Sequence, residues 1–224
     1  MKKKNKNILV IDDEELIREL LKDTFEKEKY VVETAENGEQ AFKMISSDDF
    51  DLVITDIRLP DISGMEILEK IKSKYPEIGV IMITAYGSIK SAVKSMKDGA
   101  FDYIAKPFEI DEIRIVVKKY FEFEDLKNEN KYLRSELDKK FSFKNIIGQS
   151  KPMDKIFNTI EMVAKSKATI LIQGPSGTGK ELIARSIHYN SNRKNAPFIT
   201  TNCASLPESL VESELFGHER TIRP

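Results

Sequence analysis

Five short apolar segments alternate with amphipathic helical patterns over the first 120 residues of the chain. In chain order the segments are ILVI, YVVETA, LVIT, VIMIT and DYIA. Strands that are apolar throughout and are separated by helices are typical of a parallel sheet covered on both faces. The helical period is clearest between Glu14 and Lys27, where one stripe carries Ile17, Leu20, Leu21 and Phe25. We therefore predict a doubly wound α/β domain with five parallel strands, whose ligand site lies at their carboxyl ends.

Polar side chains that can do chemistry follow four of these strands. Asp12 and Asp13 follow the first strand, Asp56 the third, Thr84 the fourth and Lys106 the fifth. At an effective dielectric of 20, two like charges ~4 Å apart repel by ~4 kcal/mol, so the carboxylates need a proton, the lysine or a cation. Mg²⁺ fits an all-oxygen cluster, and a phosphoryl group could then bind beside Asp56 as nucleophile, with Lys106 and Thr84 at its other oxygens. A single aspartate at a strand end is more often a helix or turn cap, but the combination favours chemistry.

Composition and charge exclude several classes of protein. The chain has 36 Lys and Arg residues against 37 Asp and Glu residues, so it lacks the overall positive charge that draws proteins to nucleic acid or anionic membranes. Apolar stretches all fall short of the ~20 residues that span a bilayer. The single cysteine, Cys203, excludes an internal disulfide. We expect a reduced, cytoplasmic protein without membrane contact.

The helical pattern continues without glycine or proline from Ile110 to Lys140. A heptad assignment places Val116, Phe123, Asn130 and Leu137 at position a, and Leu126 and Leu133 at position d. The apolar seam covers about two heptads, fewer than the ~3 or 4 that establish a coiled coil, so both a homodimer and an intramolecular linker helix stay open. The polar Asn130 at position a favours a specified dimer.

A glycine-rich segment, GPSGTGK, follows the predicted strand TILIQ and precedes a predicted helix from Lys180 to about Tyr189. This pattern is typical of a Walker A loop, whose backbone N–H groups and lysine bind nucleotide phosphates. The candidate residues are Gly174, Pro175, Ser176, Gly177, Thr178, Gly179, Lys180 and Glu181, the last standing where Ser or Thr is usual. The alternative is a structural turn between a strand and a helix. We also predict a strand at PFITTN and a helix after SLPE.

Residues 1–122 resemble the receiver domains of bacterial two-component response regulators, through the motifs VIDDEE, DLVITDIRLPDISGMEIL, ITAYGS and DYIAKPF. The resemblance implies a flavodoxin-like fold and transfer of a phosphoryl group from a histidine kinase to Asp56. It implies a Mg²⁺ site made by Asp13, Asp56 and the Arg58 backbone carbonyl, with Asp12 acting through water, and a switch made by Thr84 and Tyr103. A phosphatase of the haloacid dehalogenase type would need Asp-x-Asp after the first strand, whereas the aspartates here are adjacent.

Residues 144–220, within the predicted domain 144–224, resemble the front of the AAA+ domain of NtrC-type sigma-54 activators, through IIGQS, GPSGTGKE and PFITTNCASLPESLVESELFGHE. That family usually has Glu where Pro175 stands. The resemblance implies ATP as cofactor, and sigma-54 RNA polymerase and DNA as partners of the intact parent protein. Because TIRP follows where the family continues, we expect the rest of the ATPase and the DNA-binding domain to be missing, ATP binding to be weak or vestigial, and ATP hydrolysis to be absent. A fragment and a shifted reading frame both stay open.

Together these features predict a response regulator with a phosphoacceptor receiver, a linker helix at residues 123–143 and a partial AAA+ domain. We expect Mg²⁺-dependent self-phosphorylation of the receiver from a small phosphodonor. The alternative function is a non-catalytic interaction protein that dimerises with full-length relatives or titrates their kinase. A free-standing P-loop phosphotransferase is disfavoured, because it needs metal-binding carboxylates after the loop.

Overall fold

The computed structural model describes residues 6–85, 89–141 and 151–217. It divides the chain into two compact units, Met1–Asn128 and Glu129–Pro224. The motif IIGQS and the final TIRP lie outside the described residues.

The first unit contains the predicted five-stranded parallel sheet. Its strands are β1 (Asn7–Ile11), β2 (Val31–Ala35), β3 (Leu52–Asp56), β4 (Gly79–Thr84) and β5 (Asp102–Ala105). They pair in the order β2-β1-β3-β4-β5, and every pairing is parallel. All five apolar segments therefore form strands, and the doubly wound fold is confirmed.

Helices cover both faces of the sheet. They are α1 (Glu15–Lys27), α2 (Gly38–Ser47), α3 (Gly64–Lys74), α4 (Ile89–Lys97) and α5 (Ile110–Lys140). Because successive side chains of a strand point to opposite faces, Ile8 and Val10 join one apolar core while Leu9 and Ile11 join the other. On the predicted stripe of α1, Leu21 and Phe25 are fully buried, whereas Leu20 is 44% exposed. The buried face of α1 is thus narrower than its apolar pattern.

Helix α5 is a single helix of 31 residues, and Tyr120 attaches it to the amino-terminal edge of the sheet. The buried Tyr120 hydroxyl donates to the Asp51 carbonyl at 2.7 Å and accepts from the Gly79 amide at 3.1 Å. A Cβ at position 79 would lie 2.3 Å from the Tyr120 ring, so glycine is what lets the ring pack against the start of β4. These contacts attach the first part of α5 to the starts of β3 and β4.

Val116, the first position of the predicted heptad seam, is half-buried against the core, whereas the rest of the seam lies on the exposed part of α5. Phe123 is 54% exposed, Leu126 67% and Leu133 53%. A single chain therefore leaves these apolar side chains in contact with water.

Although α5 is long, neither it nor any other helix in the described part of the chain is apolar enough over sufficient length to cross a membrane.

Over the residues that the structure describes, the second unit consists of helices and of segments without regular secondary structure. It contains α6 (Lys151–Ala164), α7 (Lys180–Tyr189), a 3-10 turn (Cys203–Ser205) and α8 (Glu208–Phe216). The helices predicted after the glycine-rich loop and after SLPE are confirmed.

The strands predicted at TILIQ and PFITTN are wrong, because neither segment forms a strand in the structure. Leu171 is 81% exposed and Ile199 84%, so these apolar side chains lack the cover that a buried strand requires. Parallel strands are stable when paired on both edges and covered on both faces, and two apolar segments alone do not provide this.

Candidate functional site

The sheet brings four predicted site residues together at the carboxyl ends of its strands. Asp12 directly follows β1, Asp56 ends β3, Thr84 ends β4 and Lys106 directly follows β5. The register aligns these ends, since Asp56 lies opposite Ile83 and the Lys106 amide donates to the Thr84 carbonyl at 2.6 Å. The side chains of Asp12, Asp56 and Thr84 are buried. The sheet thus forms an acidic pocket at the edge where the sequence predicts chemistry.

The Lys106 ammonium group bridges the two buried aspartates. Its Nζ lies 2.8 Å from Asp12 Oδ2 and 2.7 Å from Asp56 Oδ2. A third carboxylate oxygen, Glu14 Oε1, lies 3.0 Å away. Hydrogen bonds between ionised partners are stronger than neutral ones, so this bridge fixes both aspartates relative to each other.

Burial and charge act in opposite directions on these groups. Burial raises the pKa of the Asp12 carboxyl, and the bonds from Lys106 and the Glu14 amide only partly offset this, so the pKa stays above its ordinary value. For Lys106, burial lowers the pKa, but the bonds to Asp12, Asp56 and Glu14 outweigh it and the pKa is raised. Lys106 is therefore a cation at neutral pH, surrounded by an excess of carboxylates.

The remaining negative charge defines a candidate metal site. Asp12, Asp13 and Asp56 can each offer one carboxylate oxygen, and these oxygens lie within 4.8 Å of one another. Asp13 is exposed, which gives an ion access from solvent. A hard cation that prefers oxygen ligands and retains some of its water, such as Mg²⁺, fits this donor set.

The loop between β3 and α3 closes one side of the pocket. The Arg58 amide donates to Asp56 Oδ1 at 2.9 Å, and Arg58 forms an isolated antiparallel bridge with Ser63. A Cβ at Gly64 would lie 2.1 Å from the Asp56 carbonyl oxygen, so the tight return of this loop requires glycine. The Arg58 carbonyl as a metal ligand stays a prediction.

Two residues that the sequence did not single out, Glu14 and Arg18, also shape the pocket. Glu14 is the third partner of Lys106, and Arg18 Nη1 donates to the carbonyls of Asp12 at 2.7 Å and Asp13 at 3.0 Å. The run DDEE is a signal for Glu14, since a third carboxylate so near the acidic pair can reach the same lysine. Arg18 lies one turn into α1, where its side chain reaches back to the loop that precedes the helix.

The two predicted switch residues lie on neighbouring strands. Thr84 is buried at the pocket end of β4, while Tyr103 is half-buried on β5 opposite Met82. Tyr103 packs against the core that contains Leu9 and Ile11. Their role as a switch stays a prediction.

The glycine-rich loop of the second unit adopts a closed conformation. Gly177 and Gly179 have φ angles of 79° and 83°, a region that favours glycine. Lys180 begins α7, and its Nζ donates to the carbonyls of Gly174 at 2.9 Å and Pro175 at 2.7 Å. In this structure the ammonium group that is predicted to bind phosphate is therefore bound to carbonyl oxygens of its own loop.

The other loop residues complete this turn. Thr178 Oγ1 donates to the Pro175 carbonyl at 2.8 Å, and Ser176 lies in the exposed turn between them. Glu181 forms an ion pair with Arg185, whose Nη2 lies 2.8 Å from its carboxylate. Nucleotide binding by these residues stays a prediction.

Comparisons with known proteins identify two families along the chain. A model described as the response regulator receiver domain matches residues 8–118. A second model, the sigma-54 interaction domain, matches residues 146–221.

Individual relatives agree with both matches. The chain is 41% identical to the regulatory protein AtoC of Escherichia coli over 95% of this chain and 46% of that protein. The structure of NtrX from Brucella abortus in complex with ATP matches with 39% identity and a TM-score of 0.59, over 95% of this chain and 47% of that one. A response regulator receiver domain protein from Clostridium thermocellum matches with 34% identity and a TM-score of 0.51, over 54% of this chain and 98% of that one.

Because receiver domain proteins are matched over nearly their whole length, the chain belongs to the response regulators. The sigma-54 interaction domain that follows the receiver makes it a regulator of the NtrC type. The chain spans about half the length of the curated relatives that it matches.

Lys106→Met tests the electrostatics of the pocket. The variant leaves two buried carboxylates without their cation, which raises the pKa of Asp12 further above its ordinary 3.8. A carboxyl with a raised folded-state pKa destabilises the fold above that pKa, and the loss disappears as pH falls and the proton binds. We expect a deficit of about 3 kcal/mol in the free energy of unfolding near pH 8, and a smaller one near pH 5.

Urea unfolding followed by circular dichroism, with EDTA present, measures this deficit at both pH values. The matched control is Lys43→Met, which removes an exposed lysine paired with Glu39. An equal deficit for Lys106→Met at both pH values would contradict the proposed charge balance.

Proposed function

We propose that this response regulator accepts a phosphoryl group on Asp56 from a histidine kinase. The observation that carries the proposal is the buried Asp56 carboxylate, held 2.7 Å from the Lys106 ammonium and next to the Asp12 and Asp13 carboxylates. A nucleophile, a fixed cation and an oxygen-rich metal site in one pocket are the groups that phosphoryl transfer needs.

In the proposed reaction an Asp56 carboxylate oxygen forms a bond to phosphorus while the phosphorus–nitrogen bond of a phosphohistidine breaks. The electron pair of that bond leaves with the imidazole, and Asp56 becomes an acyl phosphate. Asp13, Asp56 and the Arg58 carbonyl, with Asp12 acting through water, would hold a Mg²⁺ ion, which would supply positive charge to the phosphoryl oxygens. Lys106 would supply a further positive charge at Asp56, and we propose that the hydroxyl of Thr84, which ends β4, binds a phosphoryl oxygen.

Phosphorylation would be reported through Thr84 and Tyr103. We propose that Thr84 moves toward the phosphoryl group and that Tyr103, which is half-buried on β5, rotates inward behind it. This would change the surface formed by α4, β5 and α5.

The second unit supports a role in sigma-54-dependent transcription. Its match to the sigma-54 interaction domain favours ATP as a ligand, and sigma-54 RNA polymerase and DNA as partners of the longer regulators. NtrX, which matches 95% of this chain, has been solved in complex with ATP. A cytoplasmic location is consistent with the free, exposed thiol of Cys203.

The Asp56 proposal is tested by incubating the full chain with Mg²⁺ and acetyl phosphate. We expect intact-mass spectrometry to show the mass of one added phosphoryl group, labile to hydroxylamine, because the product is an acyl phosphate. Asp56→Asn should not be labelled, whereas Asp51→Asn, at the opposite end of β3, should be labelled like the parent. Equal, acid-stable labelling of Asp56→Asn would refute the proposal.

The exposed seam of α5 favours a weak homodimer, since pairing would remove Phe123, Leu126 and Leu133 from water. We expect sedimentation of the full chain to show concentration-dependent association that Leu126→Asp or Leu133→Asp abolishes. Tyr132→Asp is the matched control, because Tyr132 is 56% exposed on the same helix but lies outside the seam. A parent that is monomeric at every concentration would leave the intramolecular linker as the better interpretation.

The glycine-rich loop is proposed to bind ATP weakly, because nucleotide must first displace two bonds from Lys180 to loop carbonyls. Titration with a fluorescent ATP analogue should give an affinity that Lys180→Ala lowers by about tenfold, as expected for loss of a charge-assisted contact. Lys165→Ala, which removes an exposed lysine directly after α6, should leave the affinity unchanged. Equal affinities of the parent and Lys180→Ala would rule out this binding mode.

A further inference from the structure

Asp61 connects the loop between β3 and α3 to the start of α2. Its carboxylate accepts hydrogen bonds from the backbone amides of Gly38 at 3.0 Å and Glu39 at 2.8 Å, both in the first turn of α2. The same carboxylate accepts from the amide of Ile62, in its own loop, at 2.8 Å. One exposed side chain thus joins two elements that are 22 residues apart in the chain.

The chemistry of a helix start explains why a carboxylate suits this position. The first amides of a helix have no partner within the helix, and the helix dipole favours negative charge there. The side chain of Asn37, the residue before α2, accepts from the Gln40 amide, and Asp61 serves two other donors of the same turn, the Gly38 and Glu39 amides. Burial raises the pKa of the Asp61 carboxyl, but the bonds from the backbone amides together outweigh it, so the pKa lies below its ordinary value.

The packing between the loop and α2 is close. A Cβ at Gly38 would lie 2.4 Å from the Cγ1 atom of Ile62, so any larger residue at this position would have to displace the Ile62 side chain. Gly38 and Asp61 therefore belong to one contact between the loop and α2. The absence of a side chain at Gly38 leaves room for Ile62, and the Asp61 carboxylate accepts the hydrogen bonds.

The loop that Asp61 fixes is the loop that closes the acidic pocket. Its two ends are held by the sheet and by α3, since the Ile57 amide donates to the Ile83 carbonyl at 2.9 Å and the Gly64 amide donates to the Ile57 carbonyl at 2.8 Å. The bridge between Arg58 and Ser63 joins the two sides of the loop next to these ends. Asp61 adds an attachment from the tip of the loop to a separate helix.

We infer that Asp61 is a positioning residue of the phosphoacceptor site, which holds the Arg58 carbonyl in place for the metal by attaching the loop tip to α2. The inference rests on the proposed function, since it concerns the Mg²⁺ site that phosphoryl transfer to Asp56 would use. It assigns to Asp61 an effect on metal affinity although its own carboxylate is engaged by backbone amides.

The test is calorimetric titration of the full chain with Mg²⁺, without any phosphodonor. Asp61→Ala should bind Mg²⁺ about 10-fold more weakly, the lower end of the effect seen for groups that orient metal ligands. Asp61→Asn keeps one carbonyl oxygen for the amides and should restore part of the affinity. The stoichiometry should stay at one ion per chain, because a variant that merely unfolds a fraction of molecules lowers stoichiometry and not affinity.

Asn37→Ala is the matched control. It removes the other side-chain cap of α2 but leaves the loop attachment intact, so it should lower stability without changing Mg²⁺ affinity. Equal weakening by Asn37→Ala and Asp61→Ala, or an unchanged affinity of Asp61→Ala, would overturn the inference alone. If the parent protein binds no Mg²⁺, or if Asp13→Asn binds Mg²⁺ as tightly as the parent does, the proposed metal site is wrong and this inference fails with it.

Discussion

The bridge from the Lys106 ammonium to Asp12 and Asp56 is the interaction on which the pocket depends. Two buried carboxylates at neighbouring strand ends repel each other, and one cation 2.8 Å and 2.7 Å from them makes their coexistence possible. The parallel sheet is what brings the three residues together, because it ends β1, β3 and β5 at the same edge. The excess negative charge that the lysine does not neutralise is what makes the pocket suitable for Mg²⁺.

The carboxyl ends and the amino ends of the strands carry different features of the molecule. At the carboxyl edge, short loops place Asp56 and its neighbours around a polar pocket, and glycine at position 64 permits the tight turn that this requires. At the amino edge, the Tyr120 hydroxyl attaches α5 to Asp51 and Gly79. The buried strands β3 and β4 run between the two regions, from the attachment of α5 at their amino ends to the acidic pocket at their carboxyl ends.

The sequence predicted the sheet and the pocket for physical reasons that are local. Strands such as ILVI can be recognised in the sequence by their apolar composition. Asp12, Asp56 and Lys106 stand at the carboxyl ends of such strands, so they come together once the strands pair in parallel. TILIQ looks the same in sequence, but an apolar run does not show whether a partner strand exists, and this prediction was wrong. The hydrogen bonds of Arg18 and Asp61 were not predictable, because each depends on where the backbone of another segment lies and not on a spacing between side chains.

The central claim is that Asp12, Asp13 and Asp56 form one Mg²⁺ site beside Lys106. Carbon-13 NMR of the aspartate side-chain carboxyls during a Mg²⁺ titration measures this directly, residue by residue. The account predicts that the resonances of Asp12, Asp13 and Asp56 shift together and saturate at one ion, while that of the exposed Asp23 on α1 stays unchanged. Unchanged resonances of the three pocket aspartates, or shifts no larger than that of Asp23, would contradict it.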